Sequence, residues 1–147
     1  MEEKMTQSRF HPRWMAATVL SVVGVLGLTH IPGEDIPRVL QVHYLDKVEH
    51  VVAYGLITGF FLLSLKRPAR PEGRTRSGPA GRGRFRAAVP LIGLAALAAL
   101  GALDEMTQPL VNRVASVADY ACDLLGVAIP SVVFLVGRLS RTSAADR

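Results

Sequence analysis

Four long apolar runs, set apart by densely charged stretches, restrict this chain to one broad class of fold. The runs cover about residues 14–31, 48–65, 87–103 and 117–136, each 17 to 20 residues long. A bilayer core is crossed by about 20 helical residues at a rise of about 1.5 Å each. Half of the 147 residues are hydrophobic and the mean hydropathy is +0.30, although the chain carries 17 basic and 12 acidic residues. Charge and apolar surface are therefore segregated along the sequence, as they are in membrane proteins. The expectation is an all-α fold: one domain over 14–136, built as a bundle of four transmembrane helices. Lys4, Arg9 and Arg13 precede the first run, as in a signal peptide. No small-residue cleavage site follows, and the run is longer than a signal core, so it reads as a retained helix.

The placement of charge gives the topology. Residues 66–86 hold eight basic residues against one acid, Glu72, together with three prolines and four glycines. Such a segment cannot bury a core and is expected to be a disordered loop. With Lys4, Arg9 and Arg13 before the first span and Arg138, Arg141 and Arg147 after the last, 14 of the 17 basic residues fall on one side of a four-span arrangement. The positive-inside rule then puts both termini and the basic loop in the cytoplasm, in a multi-pass protein of the cytoplasmic membrane. A pI near 10.0 would suit nucleic acid, but this distribution fits a topology signal in contact with anionic lipid, and no nucleic-acid partner is expected. The single cysteine, Cys122, rules out an intramolecular disulfide and reads as a packing residue.

The opposite, outer side carries the residues with chemistry. Ionisable groups at membrane depth cost about 2.5–3.5 kcal/mol on insertion scales, so they usually have a partner or a purpose. Asp46, His50 and Tyr54 are spaced four apart, along one helical face, with Lys47 at its border. Further on, Asp104 and Glu105 precede Gln108, and Pro109 should end the third helix. Arg113, Ser116, Asp119, Asp123 and Gly126 follow at helical steps. A helix starting near Arg113 would carry them as one polar stripe into the membrane, with Gly126 allowing a second helix close. Asp119 is expected to pair with Arg113 or His50, and Asp123 to be a neutral or proton-sharing acid. Pro90 should lie in the first turn of the third helix, and Pro130 should kink the fourth. Residues 36–44 could form a short interfacial helix.

These strings resemble the two signatures of the VanZ-like family of small bacterial integral membrane proteins. The first reads here Asp46-Lys47, His50 and Tyr54; the second reads Glu105, Gln108, Arg113, Asp119, Asp123 and Gly126. Two departures stand out: the step from Gln108 to Arg113 is one residue short, and Asp123 replaces the family's usual asparagine. The resemblance implies a four-helix membrane protein acting at the cell envelope, with a link to glycopeptide (teicoplanin-type) resistance, and it names no reaction.

Three functions fit these residues. Lys47 and Arg113 could hold the phosphate of an envelope lipid or a lipid-linked envelope precursor. His50 with Asp46 or Asp119 as base, and Glu105 or Asp123 as acid, could serve a membrane-embedded hydrolase or transferase. The cluster could also simply join the helices or bind a partner. A divalent metal on His50, Asp119 and Glu105 is conceivable, but the spacing matches no recognised metal motif and no cofactor loop is present, so neither a metal nor a cofactor is expected.

Overall fold

The computed structural model describes residues 10–32, 34, 43–65 and 81–145. Among these residues the chain forms four helices and no strand: α1 (Pro12–Thr29), α2 (His43–Ser64), α3 (Gly81–Thr107) and α4 (Val117–Ala145). A 3-10 turn, Gln108–Val111, follows α3. All four helices contain a stretch long and apolar enough to cross a membrane, at Pro12–Thr29, Leu45–Ser64, Ala88–Val111 and Val117–Arg138. This is the pattern of a multi-pass membrane protein.

The helices alternate in direction. His11 N–H donates to Ser64 O at 2.7 Å, which joins the start of α1 to the end of α2, and Trp14 stacks on Phe60 with ring centroids 5.9 Å apart. At the other end, Thr29 of α1 bonds Asp104 of α3, and Lys47 of α2 pairs with Asp119 of α4. That end gathers the last turns of α1 and α3 and the first turns of α2 and α4, and every charged group of the expected site lies there.

The core is small and centred on α2. Tyr54, Ile57, Phe61 and Leu62 are buried against Leu97 of α3 and Val127 of α4. Val19, Leu20, Val23, Leu91, Ile92 and Val133 lie outward and more than half exposed. In water so much apolar surface would drive association; in a bilayer it faces acyl chains. With no hydrophobic force between helices in lipid, close approach depends on small residues. A Cβ on Gly126 would lie 2.7 Å from Val51 O and 2.8 Å from Tyr54 Cβ. Only glycine lets α4 sit this close to α2. Pro130 supplies no N–H to the carbonyl of Gly126, four residues earlier, and that carbonyl lies toward Gly55.

Several sequence expectations shift. α3 begins at Gly81, so residues 81–86 are helical rather than part of a loop. Once an apolar span has met the cost of nucleation, each added residue gains a hydrogen bond, and arginine propagates helix well. Pro90 is accordingly the tenth residue of α3, not part of its first turn. Residues 66–80 of the expected loop lie outside the described residues, as does most of the expected 36–44 helix; His43 and Tyr44 begin α2. α4 is helical without a break through Pro130. It starts at Val117 rather than near Arg113, because Pro109 ends α3, the 3-10 turn follows, and Asn112 adopts φ 57°. Asparagine tolerates this left-handed conformation better than most residues.

Candidate functional site

The late start of α4 decides the geometry of the site. Arg113 and Ser116 are not part of a stripe on α4; they belong to the connection that brings the chain back. Ser116 caps the helix: Asp119 N–H donates to Ser116 Oγ at 3.3 Å, and Ser116 O accepts from Asp119 and Tyr120 N–H at 3.1 Å each. This places the Asp119 carboxylate in the first turn of α4, where the helix dipole favours an anion. Ser116 N–H in turn donates to Glu105 Oε2 at 2.9 Å, and Gln108 Nε2 donates to Glu105 Oε1 at 2.8 Å. Both oxygens of Glu105 are thus held by the turn that follows α3.

Two ion pairs form the rim. Lys47 pairs with Asp119, and Arg113 Nη2 lies 3.6 Å from Asp46 Oδ1. The expected Asp119–Arg113 or Asp119–His50 pair is not formed. Arg113, displaced from α4, instead crosses to α1 and donates through Nη1 to Thr29 O at 2.9 Å. Lys47 and Arg113 are both half-buried.

Beneath the rim lies a buried layer. His50, at 5% exposure, sits between two acids on different helices. Its Nδ1 is 2.8 Å from Asp123 Oδ1 on α4, and its Nε2 is 3.9 Å from Glu105 Oε1 on α3. If Asp123 is ionised its carboxylate can only accept, and the bond then puts a proton on Nδ1. Asp104, Glu105, Gln108, Asp119 and Asp123 are all buried. Tyr54 lies one turn below His50 on α2, against Gly126, and is also buried. Among the described residues, Tyr54 Oη, Thr58 Oγ1, Asp104 Oδ2 and Asp123 Oδ2 are buried without a hydrogen-bond partner.

Eight of the nine expected residues (Asp46, Lys47, His50, Glu105, Gln108, Arg113, Asp119 and Asp123) therefore lie at the polar end. The ninth, Tyr54, packs its ring in the core, and its hydroxyl meets no described partner. Sequence reasoning missed the share taken by α1. Thr29 Oγ1 donates to Asp104 Oδ1 at 2.7 Å, and His30 Nε2 lies 2.9 Å from Thr107 Oγ1. The signal was present in a Thr-His pair closing an otherwise apolar run. A shallow cavity of about 250 Å³ opens between α3 and the start of α4, lined by Ala102, Glu105, Met106, Ser116, Val117 and Tyr120. Its walls are largely apolar, with Glu105 and Ser116 as polar contacts.

Compared with family models, curated proteins and solved structures, the chain matches none.

Proposed function

We propose that this membrane protein binds the phosphate-bearing headgroup of an envelope lipid, or of a lipid-linked envelope precursor, at its polar end. One observation carries the reading: Lys47 and Arg113 stand half-buried at the mouth of the cluster, each with N–H donors beyond those its partners use. Arginine offers five donors and lysine three, and phosphate oxygens accept in the same geometry as carboxylates. At the same end of the bundle Leu103, Met106, Leu110, Val114 and Val117 are exposed. They offer apolar surface to a lipid's chains. The weight of basic residues at the far ends of the helices supports an outer-leaflet position in a bacterial cytoplasmic membrane.

Native mass spectrometry of the full chain in mild detergent tests this. Wild type is expected to retain a phosphate-bearing lipid that folded Lys47→Met and Arg113→Met variants lose. Equal retention by all three rejects the reading. A role in teicoplanin resistance follows from the sequence resemblance alone, and is tested by whether expression raises the inhibitory concentration in a susceptible host.

A second reading, hydrolysis or transfer on a lipid-linked substrate, draws on the placement of His50 between Asp123 and Glu105. An imidazole oriented by one carboxylate and facing another is an arrangement suited to general acid–base chemistry. It predicts turnover that His50→Gln abolishes while lipid retention persists.

A further inference from the structure

The charge balance of the polar end does not suit a bare anion. Asp46, Asp104, Glu105, Asp119 and Asp123 supply five carboxylates, against two permanent cations, Lys47 and Arg113, and both cations are already paired. The excess of negative charge lies in the buried layer, not at the rim. A buried carboxylate without compensating charge is costly, so this layer calls for protons or a cation.

The atoms around His50 favour a cation. With a proton on Nδ1, the other ring nitrogen presents a lone pair, and it looks toward Glu105 Oε1 at 3.9 Å. That separation is too long for a hydrogen bond. Two ligands of one metal ion, with bonds of about 2.0–2.2 Å each, stand about 3–3.5 Å apart, so a small closure of the two side chains would bring both onto an ion. His50, Glu105 and Asp123 each offer a ligand atom with all three atoms inside 4.8 Å, and so do Asp46, His50 and Asp119. His50 is common to both groups. The 2.8 Å bond from Asp123 to Nδ1 is the carboxylate–histidine contact that orients an imidazole ligand from behind.

An independent observation comes from the fully buried Asp123, whose Oδ2 has no partner among the described residues. Protonating that oxygen would only exchange an unmet acceptor for an unmet donor. A positive ion on the far nitrogen of His50 would offset that charge across the ring, not by contact with the unpaired oxygen.

We infer that His50 Nε2 and Glu105 hold a divalent metal ion, with Asp123 fixing the imidazole and Asp119 within reach of the same ring. One nitrogen and carboxylate oxygens suit Mn²⁺ or Zn²⁺. The inference deepens the headgroup reading and rests on it only for the purpose of the ion. A divalent ion on one or two carboxylates commonly completes its shell with phosphate oxygens. It would turn an acid-rich layer into a phosphate site whose outer contacts are Lys47 and Arg113.

The test uses the full chain in detergent, stripped with EDTA and titrated with Mn²⁺ under electron paramagnetic resonance, with Zn²⁺ as competitor. Lipid phosphorus is assayed on the same samples. Wild type is expected to bind one ion per chain, with the pulsed-resonance signature of one coordinated imidazole nitrogen. Glu105→Gln and Asp123→Asn, checked for folding by thermal melt, should each weaken binding by about 10-fold or more. No bound ion in wild type, or an ion without an imidazole nitrogen, overturns the inference even if both variants fail to fold. So does binding that is insensitive to the two folded variants. Lipid retained without metal overturns the ion alone; metal bound without lipid phosphorus upholds the ion and removes the headgroup reading.

Discussion

Gly126→Ala is the smallest change that should disturb both the bundle and the site. The added methyl would meet Val51 O at 2.7 Å, Tyr54 Cβ at 2.8 Å and Gly55 N at 2.9 Å, where ordinary contact starts near 3.4 Å. Two of these three atoms are backbone, so no rotamer change relieves them, and α2 and α4 must separate by about 0.7 Å at this level. Overpacking of this kind costs about 1–3 kcal/mol. The same shift reaches the site, because Asp123 lies one turn before Gly126 and Val51 directly follows His50. Moved apart by that distance, the 2.8 Å bond from His50 to Asp123 would lengthen to about 3.5 Å and cease to be a hydrogen bond. Two further variants calibrate the experiment. Gly137→Ala adds a methyl with nothing within 4 Å, and should be neutral or slightly stabilising. Gly93→Ala meets only the far end of the Phe61 ring, which can swing away, and should fall between them. The assay is reversible thermal or denaturant unfolding in detergent, together with the ¹⁵N chemical shifts of His50. A Gly126→Ala protein within about 0.5 kcal/mol of wild type, with His50 unchanged, would refute the reasoning.

Three other perturbations follow from named contacts. A double-mutant cycle on Lys47 and Asp119 should give a coupling near the upper end of intramembrane polar contacts, about 1.7 kcal/mol; the same cycle on Arg113 and Asp46, 3.6 Å apart, should fall nearer the average of about 0.6, and the reverse order would refute the ranking. Thr29→Val removes the 2.7 Å donor to Asp104 and leaves a buried carboxylate with less compensation, at about 1–3 kcal/mol by unfolding, whereas Thr18→Val, whose hydroxyl serves only Trp14 O in its own helix, should change stability much less. Asn112→Gly should be tolerated at φ 57° while Asn112→Val should cost about 1–2 kcal/mol, measured by melting temperature, because a β-branched residue is strained in the left-handed region.

The spans were legible because apolar runs in a charged sequence have few alternatives. The helix ends were less so. Residues 81–86 read as loop from their arginines and glycines, yet helix continues into them, since the length of a helix depends on where propagation fails and not on where apolarity stops. The face of Asp46, His50 and Tyr54 was legible from spacing, because one unbroken helix carries it. The second string was only partly legible. Its steps of three and four residues from Arg113 suggested helix, but a proline, a 3-10 turn and a left-handed asparagine intervene, and the periodicity of Arg113 and Ser116 is incidental. Pairing suffered most from this: Asp119 turned to Lys47 once Arg113 was off the helix. The contribution of Thr29 and His30 was hidden for another reason. Neither residue carries a permanent charge, so a search for intramembrane charge passes over both.

Asp123 is the position where these arguments meet. An asparagine at this position could also accept from His50 Nδ1–H through its amide oxygen, more weakly than an ionised carboxylate. Orientation of the imidazole therefore does not require the charge. The carboxylate also leaves a buried oxygen without a partner, a cost that the asparagine amide would not reproduce in the same form. A charge that is unnecessary for orientation and unfavourable in a buried layer calls for a proton or a cation to compensate it. The two permanent cations are taken up by Asp119 and Asp46 at the rim, and His50 shares its Nδ1 proton with Asp123 while its other nitrogen faces a second acid. An ionised Asp123 would thus add negative potential at the imidazole that an asparagine would not. That potential strengthens the ring as a ligand for a positive ion.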